Sequence, residues 1–106
     1  MRDINNLTVR EYQDLIKELV IKRGFEKETV SEVFTIFIEE VGELAKAIRK
    51  HNGQKIDIER SQRDVSEEVA DVFWLLLDLC NRIGIDLGKA FSDKEDINSE
   101  RRWTVS

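Results

Sequence analysis

Apolar residues recur at three- and four-residue intervals through most of the chain, a pattern that predicts four amphipathic helices. Tyr12, Leu15, Ile16, Leu19 and Val20 form the first stripe. Thr8 and Glu11 ahead of it have capping-box spacing, and Leu7 is placed to staple onto Tyr12. Gly24 supplies a residue that tolerates the left-handed conformation of a helix end. The second helix repeats the start signal with Thr29 and Glu32, and its apolar face is Val33, Ile36, Phe37, Leu44, Ala47 and Ile48. Lys46, Arg49 and Lys50 stand near the negative end of its dipole, before Asn52-Gly53, giving a helix roughly 33 Å long. The polar stretch from His51 to Arg60 reads as a loop. A third helix is expected to begin between Ser61 and Ser66 and to run to Gly84. From Val69 to Cys80 it is apolar on nearly every side, the mark of a helix buried all round. Four helices cannot easily enclose one of their number, so this helix is expected to pack against another subunit. Asp86 caps a fourth helix, with Leu87, Ala90 and Phe91 predicted to face inward, continuing to about Trp103. The pattern as a whole predicts an all-α fold, a four-helix bundle completed by oligomerisation.

Composition narrows the class. The 106 residues suffice for one domain, 1–106, and show no repeat, low-complexity segment or linker. Hydrophobic residues at 41% and charged residues at 37% describe a globular chain, and the absence of proline suits long helices. No apolar run approaches the ~20 residues of a membrane span. The first residues, M-R-D-I-N-N-L-T, lack the apolar core of a signal peptide, so a cytoplasmic location without membrane association is expected. The single Cys80 agrees with a reducing compartment and reads as a core residue. A net charge of −5 argues against a nucleic-acid partner, whereas a metal could locally attract a small phosphorylated ligand.

Two pairs of acids interrupt the apolar stripes. Glu40 and Glu43 lie in I-E-E-V-G-E-L, and Glu68 and Asp71 in S-E-E-V-A-D-V-F, each pair at i, i+3 spacing. At about 100° per residue, Glu40 falls among Ile36, Phe37, Leu44 and Ala47, with Glu43 about 60° to the side. Glu68 falls among Val65, Val72, Leu75 and Leu79, with Asp71 displaced likewise and Asp64 and Asp78 one heptad either way. Glu39 and Glu67 point toward solvent. Two antiparallel helices meeting along these stripes would gather four carboxylates, which resist shared ionisation. A hard divalent cation such as Mg²⁺ resolves that conflict, and Mn²⁺ could substitute. No His or Cys accompanies the acids, which argues against zinc. The competing reading of either pair alone is a solvated helix face matched to Lys or Arg.

Lys94, Asn98 and Arg101 recur at i, i+4 and i+7 on the fourth helix, two cations and an amide suited to phosphate oxygens and a sugar or base edge. A solvated, dipole-matched helix end with Arg101 and Arg102 is the alternative. Trp74 and Trp103 could stack on a base, although core or interface packing is the better account of both. His51 has no partner in sequence, and no glycine-rich phosphate loop is present.

The ordered segments I-E-E-V-G-E-L-A-K-A-I, E-E-V-A-D-V-F-W-L-L, G-I-D-L-G-K-A-F and K-E-D-I-N-S-E-R resemble the MazG-like nucleotide pyrophosphohydrolases of the all-α NTP pyrophosphatase superfamily. The resemblance runs from about residue 7 to 103. It implies Mg²⁺-dependent hydrolysis of a (deoxy)nucleoside triphosphate to the monophosphate and pyrophosphate, in the service of clearing unwanted nucleotides from the pool. By position it implies metal binding by Glu40, Glu43, Glu68 and Asp71, and contacts from Lys94, Asn98 and Arg101 to phosphates and nucleotide. Glu39 matches the leading Glu of the motif, and the resemblance leaves open whether it ligates metal, orients the attacking water or does neither. It also implies a homodimer or dimer of dimers, with the site near a subunit boundary. Phosphoribosyl-ATP pyrophosphohydrolase is a rival within the same superfamily, disfavoured by the complete Lys94, Asp96, Ile97, Asn98, Arg101 tail. A non-catalytic helical dimerisation module is the rival of a different class, and the presence of all four acids argues against it.

Overall fold

The computed structural model describes residues 3–53 and 57–101. It contains α1 (Val9–Lys22), α2 (Val30–Gly53), α3 (Ile58–Ile83) and α4 (Leu87–Ser99), with no strand among the described residues. Both predicted capping boxes form. The Thr8 hydroxyl accepts from Glu11 N at 3.1 Å while Glu11 Oε1 accepts from Thr8 N at 2.9 Å, and Thr29 and Glu32 repeat the exchange at 3.1 and 3.2 Å. α1 ends in a Schellman turn. Gly24 takes φ 78°, Phe25 N donates to Val20 O at 2.8 Å, and Gly24 N donates to Ile21 O at 3.1 Å. Gly84 closes α3 in the same left-handed region, at φ 84°.

Four residues separate α2 from α3, so the two helices fold back as an antiparallel hairpin, the largest interface in the chain. Its contacts step along the pair. His51 Nδ1 meets Ser61 Oγ at 2.7 Å near the closed end, Glu40 lies beside Glu68 and Asp71 in the middle, and Arg82 bonds Glu28 O at the open end. α1 packs on the C-terminal half of α3. Ile16, Val20 and Leu77 form the centre of that core, with Tyr12, Leu19, Trp74 and Leu87 packed around them.

A buried polar clip joins α1 to the α3–α4 turn. Gln13 Nε2 donates to Asn81 Oδ1 at 3.0 Å and to Ile85 O at 2.9 Å, and Gln13 Oε1 accepts from Leu87 N at 2.9 Å. Asn81 Nδ2 donates to Gln13 O at 2.8 Å. Nothing in the hydrophobic pattern marks Gln13, which sits at only 2% exposure.

The structure corrects several boundaries. The expected loop over His51 to Arg60 is largely helical: α2 continues through Gly53, and α3 starts at Ile58. Asp57 makes the difference, because its carboxylate accepts from Arg60 N at 3.1 Å and starts the helix ahead of the apolar stripe. α4 stops at Ser99 instead of about Trp103, closing with Glu100 N to Ile97 O and Arg101 N to Asn98 O bonds. Trp103 and Arg102 lie outside the described residues. Of the three side chains expected to face inward from α4, only Leu87 does so; Ala90 is exposed and Phe91 is 69% exposed. The reason is that α4 makes its main contact with α1, which leaves its Phe91 side uncovered.

A second apolar stripe remains open on the hairpin. Phe34, Ile38, Val41 and Ile48 follow heptad spacing along α2, and Val69 and Phe73 stand exposed on α3. The radius of gyration is 16.8 Å, where a compact chain of this length has about 13 Å. The expectation of all-round burial for α3 is therefore unmet within one chain.

Candidate functional site

The middle of the hairpin is where the acids meet. Glu40 on α2 and Glu68 and Asp71 on α3 each offer a carboxylate oxygen, all within 4.8 Å of one another. Glu40 and Glu68 are half-buried, and Asp71 is exposed. Glu43 shares a cleft with Glu68 and acts on it electrostatically. Glu39 and Glu67 are exposed. The i, i+3 spacing on each helix puts the acids on the seam, and the antiparallel register brings the two sets level.

Glu68 is the focus of strain. Its Oε2 atom is buried and no hydrogen-bond partner reaches it among the described residues. Burial pushes its carboxyl above the ordinary range, followed by the Glu40 carboxyl beside it and the charges of Asp71 and Glu43. A buried acceptor without a donor, surrounded by three further carboxylates, is an arrangement that either a proton or a bound cation relieves. All the candidate donors are hard oxygens, which suits Mg²⁺ or Mn²⁺.

Two clefts flank the acids. One, of about 170 Å³, is lined by Glu43, Lys46, Ala47, Lys50, Ser61, Asp64 and Glu68. The other, of about 290 Å³, is lined by Glu40 and Asp71 together with Arg23, Phe25, Trp74 and Leu75. The Arg23 guanidinium lies over the Trp74 ring, 6.0 Å from its centroid. Lys46 and Lys50 follow Glu43 at i+3 and i+7, a spacing that could have flagged them beside the acids. Arg23 and Phe25 carry no such signal, since only tertiary folding brings the end of α1 to the seam.

The sequence-predicted group on α4 is placed elsewhere. Lys94 and Arg101 are exposed and Asn98 is half-buried, on or just past a helix whose main contact is α1 and not the α2–α3 seam. Asp78, one heptad beyond Asp71, also leaves the acidic group: it is buried and paired with Arg82. Asp64 lines the lysine cleft. Cys80 is 6% exposed, and burial pushes its thiol up, so it is a core residue and no nucleophile.

No helix among the described residues is long and apolar enough to cross a membrane. A comparison with curated proteins gives no significant match. The family model of the MazG nucleotide pyrophosphohydrolase domain matches residues 28–101, which include α2, α3, α4 and every acid of the seam. On that match and on its all-helical architecture, the chain belongs to the MazG nucleotide pyrophosphohydrolase family.

Proposed function

We propose that the chain hydrolyses nucleoside or deoxynucleoside triphosphates to the monophosphate and pyrophosphate, and that it does so with a divalent cation, Mg²⁺ or in its place Mn²⁺. The observation that carries this reading is the convergence of Glu40, Glu68 and Asp71 within 4.8 Å around a buried, unpartnered Glu68 oxygen. Glu40, Glu43, Glu68 and Asp71 are the residues that would hold the cation. When bound, it supplies polarisation of a phosphoryl oxygen and neutralisation of the charge on the leaving pyrophosphate. The chain's own residues do the rest. Carboxylates not engaged in holding the cation accept the proton of the attacking water, with Glu39 a candidate from its place beside Glu40. Lys46 and Lys50, in the cleft with Glu43 and Glu68, offset charge on phosphate oxygens. Water oxygen bonds to the α-phosphorus, the bond from that phosphorus to the bridging oxygen breaks, and pyrophosphate departs.

Hydrolysis in ¹⁸O-labelled water tests the bond assignment: label is expected in the monophosphate, and label in pyrophosphate overturns it. Glu68→Gln is expected to abolish turnover while leaving the fold intact by circular dichroism. Retained pyrophosphate release by that variant removes Glu68 from the reaction.

The same reading includes a second copy of the chain. The open stripe of Phe34, Ile38, Val41 and Ile48 and the exposed Val69 and Phe73 present one long apolar face on the hairpin, and an identical hairpin is its natural complement. Lys94, Asn98 and Arg101 stand on or just past a helix that packs on α1 in the single chain, so a homodimer or dimer of dimers offers them a route to the acids of a neighbouring copy. Clearing unwanted triphosphates from the nucleotide pool is the role we assign, a reading supported by the family match.

A further inference from the structure

The turn between α1 and α2 is held by a device that neither the acidic motif nor the hydrophobic pattern accounts for. Arg82 on α3 uses all three of its donor nitrogens at once. Nε donates to Asp78 Oδ1 at 2.9 Å, Nη2 donates to Phe25 O at 2.8 Å, and Nη1 donates to Glu28 O. The pair is largely out of solvent, with side-chain exposures of 12% for Arg82 and 6% for Asp78. Phe25 O also accepts from Glu28 N at 3.1 Å, so the guanidinium bridges both ends of one tight turn. That turn is set upstream by the Schellman bonds at Gly24 and downstream by the Thr29–Glu32 capping box. It therefore has little internal freedom, and Arg82 is the side chain that ties its carbonyls to α3.

What the turn carries is one wall of the cleft beside the acids. Arg23 and Phe25 face that cleft together with Trp74 and Leu75 of α3, and Glu40 and Asp71 complete it. The wall is flat and aromatic with a cationic rim, the chemistry that receives a planar heterocycle, whereas the opposite cleft, with Lys46 and Lys50, has the chemistry that receives phosphates. Arg23 and Phe25 also precede the residues matched by the family model, which begins at 28. The Arg23 and Phe25 side of the wall thus comes from the segment ahead of that match.

We propose that the buried Asp78–Arg82 pair is a positioning element for substrate selection: it holds the Phe25–Glu28 turn so that Arg23 and Phe25 meet the nucleoside end of the substrate, setting which base is accepted. The inference rests on the reading of the acidic seam as a nucleotide site. Arg82 touches neither the acids nor the cleft, and acts only through the turn. A lysine in its place has one compact ammonium and cannot reach Asp78, Phe25 O and Glu28 O in a fork, so Arg82→Lys loosens the turn while keeping the charge on Asp78 compensated.

The test is steady-state hydrolysis of a panel of purine and pyrimidine triphosphates and deoxytriphosphates by wild type, Arg82→Lys, Arg23→Ala, Phe25→Ala and the Arg82→Lys/Phe25→Ala double variant. Arg82→Lys and Phe25→Ala are each expected to raise KM for the preferred nucleotide about tenfold, to change kcat less than about twofold, and to narrow the spread of kcat/KM across bases. The double variant is expected to be no worse than the worse single variant, because both changes remove the same contact. Arg23 is exposed, so Arg23→Ala reads the cleft even where Arg82→Lys impairs folding. Additive effects overturn the proposal, as does a fall in kcat at unchanged KM and base spread. A wild type that hydrolyses nucleotides while Arg23→Ala and Phe25→Ala keep its KM and selectivity overturns this assignment alone. A wild type inactive on every nucleotide overturns the reading of the seam and the assignment with it.

Discussion

Glu68 shows how far one side chain can set the behaviour of a helix pair. Its carboxyl is raised first by burial and then by the Glu40, Asp71 and Glu43 carboxyls around it. In the unfolded chain it titrates normally, so the folded state binds its proton more tightly. The stabilisation from that proton is present below the ordinary carboxyl range and is lost as pH rises through the elevated folded value. In metal-free buffer, the melting temperature of wild type relative to Glu68→Gln is therefore expected to fall as pH climbs from mildly acidic to neutral. Added Mg²⁺ should reverse the sign at neutral pH. Parallel pH profiles for the two proteins would contradict the electrostatic account. Gln13 illustrates the opposite case, a buried polar group with its amide bonded at both ends. Gln13→Ala leaves the Leu87 N–H and Ile85 carbonyl without their partner and is expected to cost about 1–3 kcal/mol in urea unfolding. A loss well under that range would mean water replaces the amide.

The elements were legible in proportion to how local their signals are. Thr8–Glu11 and Thr29–Glu32 form both halves of their capping boxes because the signal and the structure lie within one turn. Asp57 is as local a signal, yet it stands in a polar run with no apolar periodicity to mark the helix it starts. Asp57→Ala is expected to cost about 1 kcal/mol and to fray the first turn of α3, which amide exchange at Arg60 and Ser61 would report. Protection unchanged at those amides would show that the His51–Ser61 bond holds the end without the cap. The carboxylates of the seam were readable because i, i+3 acids within an apolar stripe stand out on any helix. The cleft walls were not. Arg82 and the carbonyl of Phe25 are 57 positions apart, and their meeting depends on how α1 packs on α3. The inward face expected of α4 failed for the same reason, because a stripe shows that burial is wanted and not which surface supplies it.

At the scale of the molecule, the chain is more open than its length requires, and the open surface is apolar. A radius of gyration of 16.8 Å and exposed Phe34, Ile38, Val41 and Val69 are the observations on which the proposed second copy rests. Sedimentation equilibrium is expected to show a dimer or tetramer, and a charge placed in the stripe, Ile38→Glu, should shift it toward the monomer. A wild type that stays monomeric at high concentration would remove the second copy from the reading.

The uncovered stripe of α2 bears on more than stoichiometry. α2 carries Glu40 and Glu43 on one side and the stripe on the other, so whatever seats the stripe also steadies the acids. If association and folding draw on the same helix, melting temperature becomes a function of protein concentration, and specific activity falls on dilution. The amount of chain in the cell would then set the fraction competent to act, making abundance a crude rheostat on hydrolysis with no dedicated effector site.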